Sequence, residues 1–348
     1  MRRLLWVVPL VLLLAAALVD AGVWYVTEQW MRAELQDWVV ARRADGWSIS
    51  AVAPAAGGWP IAATLTLRDF ELSGGKADLP NGVAWRADRV VLRLTPQDPH
   101  TLRVEAMGLQ HLRVSSLPAI AYSAAKLELS VPLQVDPMAQ PLDLRGAGLR
   151  AHVPVGGAED SMTIGSLLAH LVLHPGVGRG QPAVTIAASS DEIALPRHVD
   201  WPLGPHLHSI AIDAALDGPL SDASTLTQRA TAWRDGGGAI DLRRAALHWG
   251  ALDLTAHATL TLDDELQPSG SATAKAVGYA QTLDVMARHD VITNSAALTA
   301  KAMLSLIAAP PAPGRPAEVE VPLSLRRGTL AMHDIPLLKL PELDWPRS

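Results

Sequence analysis

The chain of 348 residues contains no cysteine, one phenylalanine and three tyrosines. Without cysteine the protein has no disulfide bond, no zinc site built on thiolates and no thiol catalysis. The compartment stays open, because a periplasmic protein does not require a disulfide. Since Phe and Tyr are so scarce, Ala, Leu and Val must supply most of the buried surface, and we predict an aliphatic core.

Charged residues are also scarce in the chain. Charged residues make up 18% of the sequence against 49% hydrophobic residues, and the formal net charge is −6 with a pI near 6.0. A protein that binds a phosphate backbone normally carries a clustered basic surface. The sequence therefore predicts no nucleic-acid partner.

The N-terminal segment is mostly apolar. Arg2 and Arg3 precede the segment Leu4–Val26, which Asp20 interrupts. A helix needs about 20 apolar residues to span a bilayer, and a positively charged end stays on the cytoplasmic side. We therefore expect residues 1–26 to be a signal anchor that crosses the cell inner membrane once and leaves the bulk of the chain in the periplasm.

A cleaved signal peptide is the alternative for the same segment. Small residues at Ala15 and Ala17, or at Val19 and Ala21, resemble the site at which a signal peptide is cut. The anchor is the preferred interpretation, because the apolar segment continues past either site into an amphipathic helix.

The period of the sequence changes after the anchor. Residues 27–56 contain helix formers, with Trp30, Leu35 and Trp38 at helical spacing, which predicts a stalk helix and a linker. From residue 57 onwards apolar residues alternate with polar ones, as Leu252 and Leu254 do. Such alternation predicts antiparallel strands with one apolar and one polar face.

The predicted fold class is mainly β with minor α. After the N-terminal transmembrane helix we expect extended antiparallel β-sheets, curved and groove-like, and a C-terminal helical hairpin between residues 278 and 307, where the period is helical. The β-rich region covers residues 57–348. Its stretch 146–180 is rich in glycine and less regular, so two sub-domains, about 57–150 and 181–348, are considered beside a single unit.

Several stretches resemble one family. They are Gly58-Trp59-Pro60, Trp233-Arg234-Asp235-Gly236-Gly237-Gly238, Trp249-Gly250, Leu260-Thr261-Leu262-Asp263, Leu266-Gln267-Pro268-Ser269-Gly270 and Ile335-Pro336-Leu337. The family is an uncharacterised alphaproteobacterial set known as domain of unknown function 2125. The resemblance spans nearly the whole chain and implies a fold and a location without an established activity.

The rhythm of strand, short turn and strand is also distantly similar to AsmA-like envelope proteins. That similarity implies one N-terminal anchoring helix and long, curved sheets with an apolar groove suited to lipid acyl chains. From the residues themselves we name Leu92, Leu254 and Trp249 as candidate groove residues, because each lies on the apolar side of an alternating segment.

The candidate metal sites are two histidine pairs. His170 and His174 have the spacing of one helical face, and His206 and His208 have the spacing of one strand face. Neither pair has an assignable third ligand, so we interpret them as surface histidines. No metal and no cofactor is predicted.

The other motifs favour structure over chemistry. Gly165-Ser166-Leu167 lacks the second glycine of a nucleophile elbow, and Gly236-Gly237-Gly238 lacks the Lys-Ser or Lys-Thr of a phosphate loop. The acids Asp263, Asp264 and Glu265 lack the alternation of a calcium loop and are interpreted as turn residues. No catalytic residue is predicted, and an enzyme is not expected.

Four tryptophans, Trp59, Trp85, Trp233 and Trp249, leave two roles open. Each buries roughly 150–250 Å² when it packs in a core, which is the preferred interpretation, and some would line a groove in the alternative. Three functions follow from the whole sequence. The first is a membrane-anchored module that binds or transfers lipid or another apolar ligand in the cell envelope. The second is an assembly factor that binds envelope proteins through its sheet edges. The third is an envelope hydrolase, which would require catalytic residues that lie far apart in the sequence.

Overall fold

The computed structural model describes residues 4–75, 81–115, 117–134, 139–155, 158–221, 225–308, 317–332, 335–343 and 345. Side chains of residues 4–13, 16, 154, 155, 158, 159 and 335–338 lie outside this description.

Four helices and seventeen strands are formed by the described residues. The helices are α1 (Leu4–Ala44), α2 (Leu226–Asp235), α3 (Tyr279–Arg288) and α4 (Asn294–Ile307). The strands are β1 (Ser48–Ser50), β2 (Ala55–Gly57), β3 (Ala63–Gly74), β4 (Val83–Thr95), β5 (Asp98–Val114), β6 (Ile120–Ser123), β7 (Lys126–Pro132), β8 (Gln140–Val155), β9 (Ala158–Leu173), β10 (Pro182–Ala194), β11 (His206–Asp217), β12 (Ala239–Trp249), β13 (Leu252–Leu262), β14 (Pro268–Val277), β15 (Glu318–Arg326), β16 (Thr329–Met332) and β17 (Ile335–Lys339).

All seventeen strands belong to one sheet, and each registered pair is antiparallel. From β8 to β17 every strand pairs with the next strand of the chain. At the other end β1 and β2 pair with opposite halves of β3, and β6 and β7 share the position between β5 and β8. With about 4.8 Å between neighbouring strands, the meander is roughly 65 Å wide.

The prediction of a mainly β, antiparallel fold is confirmed, and so is the helical hairpin, which consists of α3 and α4. The stretch 146–180 is regular, contrary to expectation: its residues belong largely to β8 and β9, which pair from Gln140 to Val155. Helix α2 was not predicted.

The predicted anchor and stalk form one continuous helix, α1, instead of separate elements. Within the described residues no helix is long and apolar enough to cross a membrane. Part of the predicted anchor, residues 1–3 and the side chains of residues 4–13 and 16, lies outside the described residues.

The second half of α1 packs on one face of β3, β4 and β5. Met31 contacts a buried cluster with Ala63, Leu65 and Leu94, while Leu35 and Val39 pack against a second cluster around Phe70. Trp24 fixes the near end, because its indole Nε1 donates to the carbonyl of Gly57 at 3.1 Å. These contacts contain several of the most deeply buried side chains of the sheet, among them Leu65 at 0% exposure.

The long strands have an apolar inner face and a more polar outer face. On β13, for example, Leu252 and Leu254 are half-buried on the inner face, and Asp253 and Thr255 are exposed on the outer face. Successive side chains of a strand point to opposite faces, and registered partners share a face. The apolar side on which α1 packs is therefore the same side along the whole meander.

A line of irregularities crosses the strands near their middle. Asp69 on β3, Gly108 on β5, Gly148 on β8 and Glu192 on β10 all have positive φ, between 49° and 82°. Asp69 lies opposite Asp88 of β4, whose carboxylate accepts the backbone N–H beside Gly108. The break between β6 and β7 lies opposite Gly148, and the registers of β8, β9 and β10 align Gly148 with Glu192.

Burial differs between the two faces beside this line of irregularities. A bulge bends the strand that contains it. Inner-face residues beside the line are buried, such as Ser190 at 7% and Ile193 at 6% exposure, although β10 lies beyond the strands that α1 covers. Outer-face residues beside the line, Met107 and Leu109, are 39% and 42% exposed. Beside the line, these inner-face residues are therefore more enclosed than the outer-face ones.

Candidate functional site

The inner face of β7 to β12 forms a continuous apolar surface, which we call the trough. Its residues are connected by register and are Leu127, Leu129, Val131, Leu142, Leu144, Leu167, Ala169, Leu171, Val184, Ile186, Ala188, Ile210, Ile212, Ala214, Leu242, Ala245 and Leu247. None of these positions carries a charge, and their small and branched side chains leave an even surface.

Part of the trough is open. Ile186, Ile210 and Ile212 are 37%, 46% and 41% exposed, whereas Leu65, on the same face beneath α1, is fully buried. Exposed clusters of large apolar side chains mark binding sites more often than isolated ones do. The periodic signal for these residues was present in the sequence, since Ile210, Ile212 and Ala214 alternate with polar or small residues.

Helices lie at the two ends of the trough. Helix α1 packs on β3 to β5, and the hairpin of α3 and α4 contacts β13 and β15. The hairpin is held together by Lys301, whose Nζ lies 2.8 Å from a carboxylate oxygen of Asp284. His289, at the end of α3, contacts Asp200 at 3.0 Å and so connects the hairpin to the loop between β10 and β11.

That loop, residues 195–205, is fixed to the rim of the trough. Trp201 lies against Trp249 of β12 with ring centroids 6.0 Å apart, and the indole of Trp249 donates to the carbonyl of Gly204 at 2.8 Å. On the other side Asp160 of β9 accepts hydrogen bonds from the backbone N–H and from Nδ1 of His198, both at 2.8 Å. The backbone hydrogen bond from His198 is the main cause that lowers the pKa of Asp160 to about 2.

The opposite rim is closed by α2. Thr225 begins the helix by accepting a hydrogen bond from the N–H of Gln228. Trp233 is 6% exposed, and its indole donates to the carbonyl of Asp217 at 2.7 Å. The ring lies directly over Gly238, where an added Cβ would stand 2.2 Å from the indole. Gly238 is thus a packing surface for Trp233, and Gly236 caps the C-terminus of α2.

The three candidate groove residues have different surroundings. Leu254 lies on the inner face of β13, half-buried, beside Leu247 of the trough. Trp249 lies at the rim and packs on Trp201. Leu92 packs against both clusters beneath α1, so its side chain contacts helix-covered core outside the trough.

Core packing holds for two of the four tryptophans. Trp233 is buried, and Trp85 packs against Phe70 with ring centroids 5.5 Å apart. The prediction is wrong for Trp59, which is 51% exposed.

The histidines lie mainly at the outer face and at strand ends. His170 of β9 contacts Asp143 of β8 at 2.8 Å, and the ring of His208 lies 4.8 Å from that of His248. Because β9 is a strand, His170 and His174 are separated by four residues, roughly 13 Å, and cannot share an ion. Among the described residues no group of three or more candidate ligands could hold a metal ion.

Two further motifs have local roles. Ser166 donates to a carboxylate oxygen of Asp191 at 3.0 Å on the exposed outer face. Asp263 accepts the backbone N–H groups of Glu265 and Gln267 at 3.0 Å and 2.8 Å, which makes it a turn residue as expected.

Residues 24–341 match the model of a family described as an uncharacterized protein conserved in bacteria, domain of unknown function 2125. Neither the curated proteins nor the solved structures gave a match to the chain.

Proposed function

The chain belongs to this uncharacterised bacterial family, and from its structure we propose that it is a non-enzymatic, membrane-anchored envelope protein that holds lipid acyl chains in the trough. The observation that carries the proposal is an uncharged apolar face whose large side chains Ile186, Ile210 and Ile212 are 37–46% exposed. Binding an acyl chain there removes apolar surface from water on both partners, at about 25 cal/mol per Å².

The dimensions suit one acyl chain. A bilayer hydrocarbon core of about 30 Å contains two opposed chains, so one chain spans about 15 Å. Six strand positions, β7 to β12, span roughly 24 Å at about 4.8 Å each. A chain that crosses the strands along the bend therefore fits within the open part of the trough.

The membrane part of the proposal rests on the N-terminus. Arg2, Arg3 and the apolar segment up to Val26 favour a single inner-membrane anchor with the sheet in the periplasm. Where α1 reaches the sheet, an apolar notch of about 230 Å³ is lined by Val23, Trp24 and Pro60, among others. It offers apolar surface to lipid beside the proposed anchor. The distant similarity to AsmA-like proteins, which implies an N-terminal anchor and a groove for acyl chains, belongs to the same proposal.

Photocrosslinking tests where the acyl chain lies. Full-length protein in detergent is incubated with a phospholipid that carries a diazirine on its acyl chain, and the labelled peptides are sequenced after illumination. We expect label on inner-face positions of β9 to β12. Ile212→Asp should abolish it by placing a charge in the trough, whereas the matched control Ser209→Asp, on the outer face of the same strand, should not. Label on outer-face positions alone would contradict the proposal.

Edge addition is the second candidate function. β17 pairs with β16 through Ile335–Lys339 and forms the end of the meander in the described residues. Pro336 has no N–H to donate, and Lys339 adds a charge, and both features oppose pairing with another strand. The trough is therefore the better-supported site.

A further inference from the structure

One residue of the inner face is polar, whereas its registered neighbours are mostly apolar. Gln110 of β5 lies on the inner side, registered with Ala87 of β4 and Tyr122 of β6, and its exposure is 0%. Neither its Oε1 nor its Nε2 has a hydrogen-bond partner among the described residues. Buried polar side chains almost always have partners, so a carboxamide without one requires an explanation.

Two aromatic residues lie on either side of Gln110. Trp85 of β4 donates from Nε1 to the hydroxyl oxygen of Tyr122 of β6 at 3.0 Å, and this hydrogen bond crosses β5 between Gln110 and Leu112. The Tyr122 hydroxyl accepts there and retains its own hydrogen to donate. Burial raises the pKa of Tyr122, against the opposing effect of the hydrogen bond from Trp85, so the hydroxyl stays protonated at neutral pH.

The group is neutral and can both donate and accept. Gln110 supplies an amide N–H and a carbonyl oxygen, and Tyr122 supplies an O–H. The registered inner-face neighbours Ala87, Leu112 and Ile120 carry no charge that would balance a phosphate. Burying an uncompensated phosphate on such a face is strongly unfavourable, whereas an ester carbonyl or a hydroxyl would be matched.

The position of this polar group connects it to the trough. It lies on β4 to β6: α1 packs on β4 and β5, and β6 shares one strand position with β7, the first trough strand. An acyl chain in the trough would place its polar end here if it entered with that end toward α1.

We propose that Gln110 and Tyr122 bind the ester and hydroxyl end of a neutral acylglycerol, with Trp85 releasing Tyr122 as the ligand enters. The inference rests on the proposed function and names its ligand class. The trough holds one acyl chain of the ligand, and the polar group selects a neutral, hydrogen-bonding end over an anionic one.

Native mass spectrometry of the full-length protein in detergent tests the selection. The probes are dioleoylglycerol, dioleoylphosphatidylglycerol with the same chains, and squalene, which has no polar end. We expect wild type to prefer dioleoylglycerol to dioleoylphosphatidylglycerol. Gln110→Leu should lower dioleoylglycerol affinity about tenfold, which is the loss of one good hydrogen bond, and leave squalene binding unchanged. Tyr122→Phe should act in the same direction, and Leu112→Met on the same strand is the matched control.

Thermal unfolding separates this role from a structural one. Replacing an unpartnered buried carboxamide by leucine removes a desolvation penalty, so Gln110→Leu should raise the unfolding temperature. A lowered temperature would mean that Gln110 satisfies an internal partner such as water, which overturns the proposal. Equal dioleoylglycerol binding by wild type, Gln110→Leu and Tyr122→Phe overturns it too, while the proposed function stands. Should wild type bind none of the three probes, both fail.

Discussion

Replacing one aliphatic residue by alanine should have very different effects in the core beneath α1 and in the trough. Leu65 is 0% exposed and lies in a cluster with Met31, Ala63 and Leu94. Leu65→Ala should lower the free energy of unfolding by about 2–5 kcal/mol, because it removes buried carbons and leaves a closed cavity.

Ile212 is 41% exposed on the open inner face. Ile212→Ala removes three carbons, worth about 0.8 kcal/mol each when fully buried, and the partial exposure reduces the total to about 1.4 kcal/mol. No closed cavity is added, because one side of the residue already faces solvent. Ile212→Ala should therefore cost about half as much as Leu65→Ala, or less.

The assay is urea unfolding of both variants beside wild type, in detergent and without added lipid. Leu254→Ala, half-buried on β13, should resemble Ile212→Ala, and Leu92→Ala, packed beneath α1, should resemble Leu65→Ala. Equal losses of unfolding free energy in Leu65→Ala and Ile212→Ala would contradict this expectation, since they would mean that the trough is covered core.

Two other perturbations test the rims of the trough. Gly238→Ala should destabilise the protein and displace Trp233, because an added Cβ would lie 2.2 Å from the indole. Gly178→Ala is the control, since the nearest atom to its added Cβ lies 3.7 Å away. The control should have little effect on the unfolding temperature or on tryptophan fluorescence. Asp160, whose pKa is about 2, should stabilise the fold above its ordinary pKa near 3.8, and this stability should vanish as the pH falls from about 4 toward 2. Unfolding temperatures of wild type and Asp160→Asn should therefore differ most above pH 4 and converge near pH 2; a constant difference would contradict the assignment.

Alternation revealed most strands because the sheet has one apolar face throughout. The pattern of β13, with Leu252 and Leu254 inside and Asp253 and Thr255 outside, is the direct consequence of covering one face only. The hairpin of α3 and α4 was also predictable, since its period is helical and Thr293 caps α4 by accepting from the N–H of Ala296.

The missed elements have identifiable physical causes. Residues with positive φ, such as Gly148 and Glu192, reset the alternation within a strand, so β8 to β10 look irregular in sequence although their pairing continues. Helix α2 buries only Ala230 and Trp233, and its polar composition hides the helical period.

Gln110 carries no sequence signal of its own. It follows Met107, Gly108 and Leu109, and the bulge at Gly108 decides that Gln110 faces inward while Leu109 is exposed outward. Only the three-dimensional register shows that a polar residue occupies the apolar face.

Lipid that the protein retains from the cell shows directly whether the trough holds acyl chains. Full-length wild type, Ile212→Asp and the control Ser209→Asp are extracted from membranes in mild detergent and compared by native mass spectrometry. We expect a retained acyl-chain lipid on wild type and on Ser209→Asp, and its loss from Ile212→Asp, whose charge lies in the trough. Wild type without bound lipid, or equal retention by all three, would contradict the claim that the trough holds acyl chains.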